Sequence, residues 1–340
     1  MAGVMSPRDS ARLIAETAKD VTVDAVGVGK VAELIMDLVK KQSFSVKMWK
    51  EHELNPKTMD KAAVDWVFLA DTLNFSFWSA DDQKKYVVKY GGKEHTGYWS
   101  LCAAINRALD EGVKITDPMF YANISKDKFL EVFRSDSDTE IPMVDERIEV
   151  LHEAGKVLLE SYNGSFVNCI KQCDKSAQKL LQLIVTKFPA YRDTATYNGK
   201  EVSFYKRAQI LIADIWGACE GKGLGEFTDI DTITMFADYR IPQALVYFGA
   251  LKYSNTLMEK LKKDTMMKTG DREEVEIRGC SIWATELVRD EARKRLDADP
   301  ETKGAEINAI LIDHYLWDYR RDHADKMAHI PFHKIRCIYY

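Results

Sequence analysis

The chain has 340 residues, and its composition already excludes several classes of protein. Hydrophobic residues make up 46% and charged residues 30%, which is typical of a folded globular protein and excludes disorder as the dominant state. No stretch reaches the roughly 18 consecutive apolar residues that a membrane-spanning helix needs, so no membrane partner is expected. The net charge of −5 makes the surface a poor general attractant for nucleic acid, and no stable nucleic-acid partner is expected.

Helical periodicity dominates the chain from its first residues. Ser6 and Pro7 form a typical helix start, with Ser6 as the cap and Pro7 at the first helical position. A second helix places Val31, Ile35 and Leu38 on one face. The same reasoning predicts further helices at 62–73, 101–109, 126–133, 144–162, 166–188, 204–219, 242–251, 273–296 and 306–320.

Strand signals are sparse. The best candidate is 86–98, where alternating residues on both sides of Gly91 and Gly92 predict a hairpin with a glycine turn. The predicted fold class is therefore mainly α with a small β hairpin. The polar breaks at 134–139 and 299–304 are too short for flexible linkers, so we predict a single compact helical domain over 1–340, either undivided or formed by two lobes that meet near 134–140.

The six cysteines are scattered, and no secretory signal precedes them. This pattern predicts reduced thiols and a cytoplasmic, intracellular protein, with a nuclear location left open. Cys169 and Cys173 have the spacing of two metal ligands on one helix, but a second pair at ligand spacing is missing. We therefore expect no metal and no cofactor.

Two other motifs have structural interpretations. The glycines at 221–225 suggest a phosphate-binding loop, but the loop lacks the Gly-Lys-Ser/Thr ending of a P-loop and follows no buried strand. A plain interhelical loop is the favoured interpretation. The tail from Cys337 has the outline of a prenylation box, but its last two residues are tyrosines, so an apolar C-terminus packed into the body is favoured.

Three segments combine aromatic rings with polar groups: 71–78, 229–240 and 313–319. Aromatic faces stack on planar bases, and carboxylates accept hydrogen bonds from base N–H groups. The alternative interpretation is an aromatic core with exposed acids. Asp313 and Asp318 are five positions apart, about 140° around a helix, so both border one pocket only if that pocket wraps the helix.

At these segments the sequence closely resembles the queuosine salvage protein family, the queuosine 5′-phosphate N-glycosylases. The matching segments are 71–78, 96–101, 204–209, 234–242, 276–280, 313–319 and 335–340. The resemblance implies hydrolysis of the glycosidic bond of queuosine 5′-monophosphate, which releases ribose 5-phosphate and queuine for reuse in transfer RNA modification. It also implies a fold similar to that of helix-hairpin-helix DNA glycosylases. Asp238 lies just before 241–245 rather than well downstream of a glycine-rich hairpin, so a DNA-binding hairpin is not expected.

The resemblance implies that Asp238 is the catalytic residue. Cleavage of a ribosyl–base bond builds positive charge on the sugar, and a carboxylate beneath the anomeric carbon stabilises that charge. Phe236 and Tyr239 would form an apolar wall that excludes bulk water. Lys206 or Arg240 would supply a nearby cation that favours the ionised carboxylate.

The chemistry of the substrate suggests the other contacts. Queuine is a 7-deazaguanine without an N7 to protonate, so the departing base must be stabilised at other positions. The candidates to hold the base are Asp313 and Asp318, with Phe75 and Trp78 as stacking walls and Trp317 as a further aromatic contact. His52 and Asn74 are candidates for polar groups of the nucleotide, and Lys206 for its 5′-phosphate.

Three rival interpretations stay open at the level of sequence. A non-catalytic carrier of queuine or a nucleotide would have the same aromatic pocket without releasing ribose phosphate. A nucleic-acid glycosylase would need a basic track for the backbone, which the negative balance of charge argues against. A helical scaffold gives no reason for polar groups among the aromatic residues of three separate segments.

Overall fold

The computed structural model describes residues 3–81 and 83–340, and this part of the chain is mainly helical. The α-helices are α1 (Pro7–Thr17), α2 (Ala25–Lys40), α3 (Met48–Glu51), α4 (Lys61–Thr72), α5 (Tyr98–Asp110), α6 (Pro118–Tyr121), α7 (Lys126–Val132), α8 (Val144–Ser161), α9 (Phe166–Lys171), α10 (Ala177–Lys187), α11 (Lys206–Ala218), α12 (Ile241–Tyr247), α13 (Asn255–Lys262), α14 (Arg272–Ala298) and α15 (Ala309–Asp322). Short 3-10 helices occur at Pro189–Tyr191, Gly223–Gly225 and Ile230–Thr232. None of the helices in the described ranges has the length and apolarity needed to cross a membrane.

Six strands form small antiparallel sheets of two strands each within the described residues. The strands are β1 (Val21–Val23), β2 (Val87–Tyr90), β3 (Lys93–Thr96), β4 (Thr194–Tyr197), β5 (Lys200–Ser203) and β6 (Leu251–Tyr253). The pairs are β1 with β6, β2 with β3, and β4 with β5. A mainly α fold with small β elements is therefore confirmed.

Several local predictions are confirmed because they rest on short-range chemistry. The Ser6 hydroxyl accepts a hydrogen bond from the Asp9 N–H and caps α1, whose first residue is Pro7. The strands β2 and β3 pair around Gly91 and Gly92. These glycines have φ angles of 59° and 77°, which residues with a Cβ atom rarely adopt.

Two helix predictions are wrong in their extent. The segment 166–188 forms two helices, because Asp174 and Lys175 adopt left-handed φ angles of 48° and 60° and Ser176 then caps α10. The predicted helix 242–251 ends early at Tyr247, since the chain turns there and Leu251 pairs with Val23 in a sheet.

Two of the three sheets were not predicted. The turn between β4 and β5 is Asn198-Gly199, with φ angles of 49° and 74°, which is a strong hairpin signal that the sequence contained. The strands β1 and β6 are three residues long and lie far apart in the chain. Such a short pair has no detectable periodicity, so only the tertiary structure reveals it.

The described chain packs into two units, each built from separate segments. The first contains 3–48, Asp193–Gln209 and Asp231–Ile335. Its centre is the 27-residue helix α14, against which α1, α2, β1, α12 and α15 pack. At Gly279 in α14, an added Cβ would lie 2.6 Å from the Ile14 side chain, so only glycine permits this close approach of α1.

A buried arginine on α14 ties distant segments of the first unit together. The guanidinium of Arg278 donates to the two Asp193 carboxylate oxygens at 2.8 and 2.6 Å, and its Nε donates to the Ala237 carbonyl oxygen at 2.9 Å. It also lies 4.2 Å from the centre of the Phe204 ring. Because Phe204 lies in the segment 204–209 and Ala237 in the segment 234–242, Arg278 contacts both segments and helps to position them.

The second unit contains Trp49–Arg192, Ile210–Ile230 and Arg336–Tyr340. It includes the helices α4 to α10 and the hairpin of β2 and β3. The side chains of Cys337 and Tyr340 are buried, which confirms that the tail packs into the body of the protein. The polar segment 134–139 lies inside this unit, and a single-domain organisation over 1–340 stays a prediction.

We expect Arg278→Met to destabilise the protein by about 3–5 kcal/mol, because it leaves the buried Asp193 and Glu274 carboxylates without their cation. Urea unfolding followed by circular dichroism measures this change. The matched control is Lys294→Gln, which removes a charge from an exposed position of the same helix and should change stability by less than about 0.5 kcal/mol. Equal stabilities of the two variants would contradict the role of Arg278.

Candidate active site

Asp238 lies in the loop that leads into α12, and the backbone of that loop orients its carboxylate. One oxygen, Oδ1, accepts hydrogen bonds from the N–H groups of Arg240 and Ile241, both at 2.8 Å. The side chain is half-buried. Within the described residues, the second oxygen takes part in no hydrogen bond. The carboxylate is therefore fixed through one oxygen while the other is available to a ligand.

The loop before Asp238 is anchored at three further points. The Thr234 N–H donates to the Gln209 side-chain oxygen at 2.9 Å, and the Gln209 amide donates to the Thr234 hydroxyl at 2.7 Å. The Phe236 N–H donates to the Asp313 carboxyl at 2.9 Å. Arg278 binds the carbonyl of Ala237, as described above. A loop held at so many points keeps Asp238 in one orientation, which electrostatic catalysis requires.

Asp313 is a buried acid on α15, with only 4% of its surface exposed. Burial raises its pKa well above the ordinary value, and the negative charge of Asp238 raises it further. The Phe236 N–H and the Lys206 ammonium oppose this rise. The structure therefore brings Asp238, Asp313 and Lys206 into one electrostatic neighbourhood, in which Asp313 holds its proton more tightly than a carboxyl in water.

Lys206 is the first residue of α11 and is almost fully buried. Its backbone N–H donates to the Asp193 carboxylate at 2.9 Å. The preceding residue, Tyr205, has a left-handed φ of 48°. The same Asp193 carboxylate binds Arg278. The segment that carries Lys206 and the loop that carries Asp238 are thus held by one ion pair.

Trp317 and Asp318 follow on the same helix, and they differ from Asp313 in exposure. Trp317 is half-buried and lies 5.0 Å from the Arg321 guanidinium, whereas the Asp318 side chain is exposed. Surrounding protein still reduces the hydration of Asp318, and together with the Asp322 charge this raises its pKa to about 6. Asp318 also contributes to the raised pKa of Asp313, although α15 turns the two side chains in different directions.

Phe236 and Tyr239, the two rings predicted to form an apolar wall beside Asp238, are both buried. Phe236 packs against His314 with ring centres 6.0 Å apart, and Tyr239 packs against Phe332 at 5.5 Å. The Arg240 guanidinium lies 4.2 Å from the centre of the Phe332 ring. Sequence reasoning missed Phe332, whose only signal was its place near the aromatic-rich end of the chain.

The remaining predicted residues, His52, Asn74, Phe75 and Trp78, belong to the second unit. His52 stacks on Trp99 with ring centres 3.3 Å apart, and the Asn74 amide donates to the Asp71 carboxylate at 3.1 Å. Their roles in substrate binding stay predictions.

Two arginines hold the aromatic residues of this segment. The Arg147 guanidinium lies 4.3 Å from the centre of the buried Phe75 ring and donates to the Leu73 carbonyl at 2.6 Å. The Arg336 guanidinium lies 3.6 Å from the centre of the Trp78 ring and donates to the Trp78 carbonyl at 2.7 Å. Each ring therefore already has one face against a cation.

Sequence reasoning also missed the residues that position the site, namely Asp193, Gln209 and Arg278. Gln209 and Arg278 lie within segments that carried the family resemblance, and both stand among apolar residues of predicted helices. A polar side chain among apolar neighbours of a helix was the sequence signal that could have identified them. Among the described residues, no group of three or more His, Cys, Asp or Glu side chains is arranged to hold a metal ion, and metal-free chemistry stays a prediction.

Asp313→Asn tests the buried acid, since the amide oxygen can still accept from the Phe236 N–H. A carboxyl whose pKa is raised in the folded state stabilises the protein at low pH and loses this contribution as pH rises from about 4 toward the raised pKa. We expect the stability of the wild type, relative to Asp313→Asn, to fall by up to about 1.4 kcal/mol per pH unit in that window. Urea unfolding between pH 4 and pH 8 measures it. Asp325→Asn, an exposed change just beyond the same helix, should follow the wild type, and parallel pH profiles for Asp313→Asn and wild type would refute the buried-acid assignment.

Comparison with known proteins assigns this chain to a family. The family model described as queuosine salvage protein matches residues 54–340. The chain is 55% identical to a queuosine 5′-phosphate N-glycosylase/hydrolase of Bos taurus across 100% of both chains, and 53% identical to that of Mus musculus across 99% of both. It is 40% identical to the enzyme of the same name from Schizosaccharomyces pombe, over 97% of this chain and 98% of the relative. From the matching model and from similarity along the whole length, the chain belongs to the queuosine salvage protein family.

Proposed function

We propose that this protein hydrolyses the N-glycosidic bond of queuosine 5′-monophosphate and releases queuine and ribose 5-phosphate. The observation that carries the proposal is the full-length similarity to enzymes named for this reaction, at 55% identity to one of them. The queuine released is then available for transfer RNA modification. The local geometry agrees with such a reaction, because the carboxylate of Asp238 is oriented by the backbone and its charge acts on the buried acid Asp313 of α15.

The proposed catalytic residue is Asp238. As the bond from C1′ to the base breaks, the bonding electrons leave with the base and positive charge develops on the ribose. The available oxygen of Asp238 stabilises that charge, and its fixed oxygen prevents the carboxylate from turning away. Water then adds at C1′, and its proton passes from the attacking oxygen to Asp238 and onward to solvent or the released base.

Asp313 and Asp318 are proposed to hold the base. A carboxyl with a raised pKa keeps its proton more readily, so Asp313 can donate a hydrogen bond to the base as negative charge develops there. The environments of Asp238 and Asp313 differ in burial, which is how neighbouring carboxyl groups acquire different roles. Exposed Asp318 is suited to a polar group at the edge of the base or to the ammonium that queuine carries.

The other proposed substrate contacts fall into two groups. In the first unit, the Lys206 charge acts on Asp313 and the Arg240 guanidinium lies over the Phe332 ring. The rings of Phe236, Tyr239 and Trp317 supply apolar surface. In the second unit, the proposed contacts are His52, Asn74, Phe75 and Trp78. What supports this second group is their place in the segments that resemble the family and the chemistry of aromatic and amide side chains toward a planar base.

Three further points belong to the same proposal. The helical arrangement is proposed to resemble that of helix-hairpin-helix DNA glycosylases, supported by the predominance of helix and by an acid that directly precedes a helix. A cytoplasmic location is proposed from the six free, buried cysteines, which suit a reducing compartment. The negative net charge supports a nucleotide rather than a stable nucleic-acid partner.

The direct test is turnover of pure protein without added metal. The substrates are queuosine 5′-monophosphate, queuosine and guanosine 5′-monophosphate, and free base is followed by chromatography. We expect queuine release chiefly from queuosine 5′-monophosphate. Tight queuine binding without release from any substrate would instead favour a non-catalytic carrier.

Asp238→Asn is expected to lower the turnover number at least about a hundredfold while leaving KM nearly unchanged. The asparagine oxygen can still accept from the Arg240 and Ile241 N–H groups, so the fold and the melting temperature should be preserved. The matched control is Asp325→Asn, an exposed change that should keep wild-type turnover. Near-normal turnover by Asp238→Asn would remove Asp238 from the mechanism.

A further inference from the structure

Arg320 lies in the last turn of α15, and its side chain is half-buried. Its Nε is buried and meets no hydrogen-bond acceptor in the described part of the chain. Among the same residues no carboxylate lies within ion-pair distance of Arg320, whereas buried Arg278 pairs with Asp193 and Arg289 pairs with Glu286. A buried donor without an acceptor is unfavourable. The Nε of Arg8 also meets no acceptor among the described residues, but Arg8 pairs with Glu286, so Arg320 differs from it in having neither kind of contact there.

The charges around Arg320 would favour an anion. Burial and the neighbouring cations Arg240 and Arg321 lower the pKa of Arg320 to about 10, while Asp238 and Tyr239 act in the opposite direction. Arg320 therefore stays charged at neutral pH, close to a second guanidinium. Arg240 is itself held against the Phe332 ring at 4.2 Å. Two guanidinium groups near each other bind a phosphate well, because each presents several N–H donors in a fixed plane.

The helical spacing of α15 relates the position of Arg320 to that of Asp313. Asp313 and Arg320 are seven positions apart, so they lie on the same face of the helix about 10 Å from each other along its axis. The charge of Asp238 acts both on the buried Asp313 carboxyl and on Arg320, which suits a nucleotide with its base at Asp313, its anomeric carbon at Asp238 and its 5′-phosphate at the arginine pair.

We propose that Arg320, together with Arg240, binds the 5′-phosphate of the substrate and sets the preference for a nucleotide over a nucleoside. This inference rests on the proposed hydrolysis of queuosine 5′-monophosphate. In this arrangement the Lys206 charge acts on the Asp313 carboxyl rather than on the phosphate. The alternative role of Arg320 is structural, as a positive charge at the C-terminal end of α15, and that role predicts no difference between phosphorylated and unphosphorylated ligands.

The kinetic test compares queuosine 5′-monophosphate with queuosine. For Arg320→Gln we expect kcat/KM for the nucleotide to fall about 10- to 100-fold, the loss of a charge-assisted hydrogen bond, with no change for the nucleoside. Arg320→Lys keeps the positive charge but not the planar array of N–H donors, so kcat/KM for the nucleotide should fall less than in Arg320→Gln. The matched control is Lys326→Gln, which removes an exposed positive charge just beyond the same helix and should affect neither substrate. Equal losses on both substrates for Arg320→Gln would overturn the assignment.

A binding test separates this inference from the proposed function. Ribose 5-phosphate and inorganic phosphate are titrated while the melting temperature is recorded, which needs no turnover. We expect both to stabilise the wild type and Lys326→Gln, and neither to stabilise Arg320→Gln. Stabilisation that persists in Arg320→Gln overturns the phosphate site even if queuine is released. Absence of queuine release from the wild type, with phosphate binding lost in Arg320→Gln, overturns the proposed reaction and leaves the anion site standing.

Discussion

The buried ion pair between Arg278 and Asp193 is the constraint on which the geometry of the first unit depends. Both side chains are removed from water, so each must satisfy its charge inside the protein. Arg278 does so with groups from two other segments, the Asp193 carboxylate and the Ala237 carbonyl, which are far apart in the chain. Because alternative arrangements would leave a buried charge without a partner, the pair selects one position for the loop that carries Asp238.

That loop places one acid near another, which is unfavourable in itself. The negative charge of Asp238 raises the pKa of Asp313, and burial does so more strongly. A flexible loop would relieve the repulsion by moving away. Here the backbone is held at Thr234, Phe236 and Ala237, so the unfavourable proximity persists. The anchoring contacts therefore keep the pKa of Asp313 raised, and a carboxyl that holds its proton tightly is useful in acid–base chemistry.

The second unit uses guanidinium groups in a related way. Arg147 donates to the Leu73 carbonyl and lies over Phe75, while Arg336 donates to the Trp78 carbonyl and lies over its ring. The segment 73–78 has no helix or strand to satisfy its carbonyl groups. Arginine supplies several donors and a flat cationic face at once, so one side chain can fix both the backbone and the ring.

The helices with clear periodicity, the Gly91-Gly92 hairpin, the cap of α1 and, through resemblance, the family were all predictable from the sequence. These features depend on neighbours within a few positions or on runs of matching residues. The break between α9 and α10, the pairing of β1 with β6, the burial of Asp313, the partners of Arg278 and the buried Nε of Arg320 without an acceptor in the described chain all depend on the tertiary structure. The reason is physical: burial, ion pairing and pKa depend on which distant segments share a region of low dielectric, and local sequence carries no record of that.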